Sequence, residues 1–97
     1  MRSEIRRQFI QLKEKWIEDT KYLSNVNAIT SHPAYLRIIG FGPDVIPLIR
    51  EELRKDGGHW FVALRALTGA NPVKEEDRGR IAEMRKAWLD YLDNLKE

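Results

Sequence analysis

The 97-residue sequence contains no cysteine. A disulfide framework, a thiolate metal site and a cysteine nucleophile are therefore excluded, and packing alone must hold the fold. Charge of one sign is also scarce: 17 Lys and Arg stand against 15 Asp and Glu, a formal balance of +2. That surplus is too small to argue for nucleic acid on electrostatics alone. No apolar run approaches the roughly 20 residues of a membrane span. The N-terminal MRSEIRRQFIQLKEKW never goes more than two residues without a charged or amide side chain, so no signal-peptide core and no membrane partner are expected. A cytoplasmic location is the expectation that follows. No stretch alternates cleanly enough for a strand, and there is no low-complexity tract or block of like charge.

What is present suits one small globular domain over residues 1–97. Hydrophobic residues make up 42% of the chain and charged residues 33%, too apolar for a disordered tail. The length fills one modest core. From Glu4 to about Thr20, Ile5, Phe9, Leu12 and Trp16 fall on one helical stripe, with Ser3 as a cap. Ile10 and Ile17 lie about a third of a turn from that stripe, a broader apolar face than one packing partner needs. Lys21 to Thr30 reads as a connector with Tyr22, Leu23, Val26 and Ile29 tucked inward. Ser31 caps a short helix from Pro33 to Ile39 that stops at Gly40.

A further helix is expected from Pro43 to Leu53, provided that Pro47 falls within its first turn. Arg50, Glu51, Glu52 and Arg54 form its wet side, and Lys55–Gly58 a tight polar turn. His59 to Thr68, apolar almost all round, is expected to be the central and most buried helix, stopped by Gly69. The last helix runs from about Gly79 to Leu95 on Ile81, Met84, Trp88, Leu92 and Leu95. The fold class is all-α: a compact bundle of about five helices.

The run from Gly42 to Gly69, GPDVIPLIREELRKDGGHWFVALRALTG, resembles a single HEAT-type helical hairpin. A glycine opens it, Val45 to Ile49 and Leu53 build its first helix around Pro47, and Ala63, Arg65, Ala66 and Leu67 sit in its second. That resemblance implies antiparallel helices that bind other proteins on their faces. No second copy is visible, so the hairpin would be embedded in the bundle. The longer stretch from His32 to Val73 is similar to a group of short bacterial proteins that occur in accessory, mobile parts of genomes, often beside another small open reading frame. It implies a two-gene module such as an antitoxin, an immunity protein or a regulator of a neighbouring gene's product.

Catalytic constellations are thin. His32 and His59 would need carboxylates from Asp44, Asp56 or Glu75, Glu76 and Asp77 to hold zinc, and each is read instead as a helix-start or interface residue. No metal or cofactor is expected. Ser24 and Ser31 lie in no nucleophile frame. Glu51–Glu52 and Glu75–Glu76 are sequence neighbours that point apart on a helix. Gly40-Phe41-Gly42-Pro43 lacks the lysine and glycine spacing of a phosphate loop. The expectation is a protein that is not an enzyme and binds another protein, with Ile10, Ile17, Trp60, Phe61 and Arg65 as contacts and self-association as one form of that binding. The alternative is nucleic-acid binding through Arg6, Arg7, Lys13, Arg78, Arg80 and Arg85, against which the interleaved acids weigh.

Overall fold

A computed structural model describes residues 2–55 and 59–95. Among them are six α-helices and no strand: α1 (Arg2–Thr20), α2 (Val26–Thr30), α3 (Pro33–Gly40), α4 (Ile46–Arg54), α5 (Phe61–Thr68) and α6 (Ile81–Asp93). The all-α bundle expected from periodicity is what forms. The polar turn expected after Lys55 lies outside the described residues.

Local chemistry explains where the boundaries moved. The first helix already includes Arg2, so Ser3 lies inside its first turn instead of capping it. Asn25 accepts the Ala28 amide at 3.0 Å and starts α2 within the segment expected to be a plain connector. There the inward assignment holds for Ile29 alone: Tyr22, Leu23 and Val26 are exposed, Tyr22 at 90%. The Trp16 indole donates to the Ile29 carbonyl at 2.7 Å and pins the chain at that point. Thr20 and Thr30 take inward places, because their hydroxyls bond back to the carbonyls of Trp16 and Val26 and enter the interior satisfied.

Ser31 does not cap α3. Its hydroxyl donates to the Ala28 carbonyl, and the cap is His32, whose Nδ1 accepts the Ala34 amide at 3.0 Å. A 3-10 turn over Gly42–Val45 precedes α4, which places Pro47 in the first turn of α4, where its missing amide costs nothing. The fifth helix begins at Phe61, two residues later than its sequence pattern suggests, and ends where Gly69 turns left-handed at φ 71°. The last helix is shorter than expected at both ends.

The core is aromatic at its centre. Trp60 lies 4.9 Å from Trp16, 5.6 Å from Phe9 and 5.6 Å from Tyr35, ring centre to ring centre. Ile38, Val45, Ile49, Leu53, Ala63 and Leu64 close around it. The most extensive helix pairing is α1 on α3, so α5 is not the central helix. Its Val62, Arg65 and Ala66 face solvent. An eight-residue helix has room for one buried stripe, and Ala63 and Leu64 occupy it.

The charged residues of α4 are not simply its wet side. Glu51 and Glu52 meet Arg6 and Lys13 of α1, and Arg54 meets Asp93 of α6 at 2.6 Å, so α4 is strapped to both terminal helices.

Candidate functional site

The five residues expected to contact a partner separate into three groups. Trp60 is 1% exposed and belongs to the core, where its ring packs on Phe9, Trp16 and Tyr35. Phe61 is half-buried against that core. Ile10, Ile17 and Arg65 are exposed.

Ile10 and Ile17 are two helical turns apart on α1, 39% and 50% exposed. Beside them on the helix, Arg6 and Lys13 turn toward α4, so the isoleucines form an apolar shoulder next to a row of ion pairs.

Arg65 lies in an open depression of about 360 Å³ lined by Val62, Ala66, Gly69, Ala70 and Asn71. The three helical contributors, Val62, Arg65 and Ala66, stand at steps of three and one, so one face of α5 supplies the floor. Gly69 ends the helix and turns Ala70 and Asn71 back beside it. Arg65 is the sole charged side chain in that lining. Among the described residues no ion pair or side-chain hydrogen bond engages its guanidinium. The lining also holds no nucleophile or general base; what it offers is a forked donor for a carboxylate and small residues that admit close approach. Neither Val62 nor Asn71 stands out in the sequence, because Val62 falls in the helix expected to be most buried and Asn71 lies beyond the Gly69 stop.

The basic residues of the nucleic-acid alternative are largely committed within the chain. Arg6 pairs with Glu51 at 3.3 Å, Arg7 with Glu4 at 2.6 Å, Lys13 with Glu52 at 3.0 Å and Arg80 with Asp77 at 3.6 Å. Arg85 donates through Nε to the Leu53 carbonyl at 2.6 Å and closes the end of α4. Arg78 is exposed.

His32 and Asp19 form the other polar cluster. His32 Nε2 lies 2.9 Å from Asp19 Oδ2, which also receives Lys15 Nζ at 3.1 Å. The hydrogen bond from His32, with Lys15 beside it, holds the Asp19 carboxyl below its ordinary range. Among the described residues no three His, Asp or Glu side chains gather as a metal cluster, and no helix is long and apolar enough to cross a membrane. No family profile, curated protein or solved structure matches the chain.

Proposed function

We propose that this chain is a non-catalytic protein-binding module of the adaptor, antitoxin, immunity or regulatory-subunit kind. The observation that carries the reading is the Arg65 guanidinium, unengaged among the described residues in an open depression of mostly small or apolar residues, while Arg6, Arg7 and Lys13 of α1 are paired with the chain's own carboxylates. A partner that suits it presents a carboxylate flanked by apolar side chains, the carboxylate for Arg65 and the apolar groups for Val62 and Ala66. The shoulder at Ile10 and Ile17 supplies further apolar area. The resemblance of Gly42–Gly69 to a HEAT-type hairpin leans the same way. The partner would be encoded by a neighbouring gene of the same bacterial module, and the absence of cysteine in this chain suits a cytoplasmic setting.

The test is affinity capture of the tagged chain from its native host at low and high salt, repeated with Arg65→Glu and Ile17→Asp, followed by light scattering of the complex. The expected result is a stoichiometric protein partner that survives high salt and is lost with Arg65→Glu. Recovery of nucleic acid alone, released as salt rises, would instead establish the alternative through Arg6, Arg7, Lys13, Arg78, Arg80 and Arg85.

A further inference from the structure

The imidazole of His32 is held at both nitrogens. Nδ1 accepts the Ala34 amide at 3.0 Å, so it carries no proton there, and Nε2 must hold the ring hydrogen and donate it to Asp19 Oδ2 at 2.9 Å. One neutral ring therefore caps the first turn of α3 and ties that turn to the last turn of α1. The ring is sheltered, its side chain 17% exposed. The charged groups bonded on its Nε2 side are Asp19 and, on the same carboxylate oxygen, Lys15, both from α1; α2 carries no charged residue, and α3 carries Arg37.

We propose that His32 is a proton-operated clasp that closes the first turn of α3 when neutral and opens it when protonated. A proton arriving at Nδ1 turns the acceptor into a second N–H, which faces the Ala34 N–H, and two donors repel. The cap is lost, and the cationic ring now stands at a helix N-terminus, where the dipole disfavours positive charge. On the other side the bond to Asp19 becomes charge-assisted and strengthens. Protonation thus exchanges one bond for another: the link to α1 tightens as the turn of α3 loosens, and the change is local. No atom other than the proton is gained or lost, and its source is solvent.

The experiment is nuclear magnetic resonance of the full-length ¹⁵N-labelled chain, titrated downward in pH until the ring nitrogen shifts of His32 report protonation. Ring nitrogen shifts report the tautomer, and the Ala34 amide protection factor, corrected for intrinsic exchange, reports the cap. The expected result is the Nε2–H tautomer at the upper end and a fall in Ala34 protection of roughly fivefold, the worth of one N-cap, in step with ring protonation. His32→Asn, which caps equally well and does not titrate, should keep Ala34 protected throughout. An Nδ1–H tautomer at the upper end overturns the proposal, as does an Ala34 pH profile shared by the parent chain and His32→Asn.

Discussion

The Tyr35 hydroxyl accepts the Ala63 amide at 2.9 Å while donating to the His59 carbonyl at 2.6 Å. A fully buried phenol on α3 therefore satisfies the free amide of the first turn of α5 and the carbonyl just before it. This one oxygen explains how α5 can start without a side-chain cap of its own.

Tyr35→Phe keeps the ring and strands both backbone groups. It should cost about 1–3 kcal/mol in urea unfolding, the range for leaving buried polar groups unpaired. A loss inside 0.5 kcal/mol, the scale of an ordinary surface change, would mean that water replaces the hydroxyl.

Burial pushes the Tyr35 phenol well above its ordinary value. The folded chain then holds a proton that the unfolded chain releases, so stability is fully present below about pH 10 and falls as pH rises beyond it. Tyr35→Phe should remove that part of the alkaline decline, measured as the melting temperature between roughly pH 9 and pH 11.

Acid works with the opposite sign. Asp19 and Glu51 are held below their ordinary values, Asp19 by His32 and Lys15 and Glu51 by Arg6. The stability they contribute is present above about pH 4 and is lost as pH falls through their lowered folded values. Asp19→Asn and Glu51→Gln should each flatten the acid limb of a stability profile, and the Glu51 effect should shrink in high salt because its pair with Arg6 is exposed.

Trp60 and Arg65 should separate cleanly. Trp60→Ala removes the ring that touches Phe9, Trp16 and Tyr35, at about 3–5 kcal/mol against a total of about 5–15 kcal/mol for a domain of this size. Arg65→Ala should stay within about 0.5 kcal/mol. Calorimetry of the two variants checks this; comparable losses would place Arg65 in a structural network.

Gly69→Ala places a side chain at φ 71°, where steric room is ample but the backbone is unfavourable for an L-residue. The expected loss is about 1 kcal/mol. Loss of partner capture at unchanged stability would show that the added methyl obstructs the depression itself.

The positions of α1, α3, α4 and α6 were legible because each signal is local: Phe9 and Trp16 on one stripe, proline at a helix start, glycine past a helix end. The shoulder at Ile10 and Ile17 was legible for the same reason, since a helical wheel places those residues off the stripe whatever packs against it. Other features needed the fold. Lys21 to Thr30 reads as a connector from its local hydrogen-bonding residues, and the short helix capped by Asn25 within it forms beside the Trp16 bond to Ile29. Ser31 and His32 were both able to cap α3, and the reach of His32 to Asp19, 13 residues away, settled it.

Composition and periodicity by themselves determined the all-α class, the lack of covalent staples and most helix positions, since these depend on side chains a few residues apart. Which helix is central, which of Trp60 and Phe61 is buried, and which cations are already neutralised were decided by tertiary structure. Those outcomes rest on pairs such as Lys13–Glu52 and Tyr35–Ala63, 39 and 28 residues apart, and only the packed chain brings them within reach.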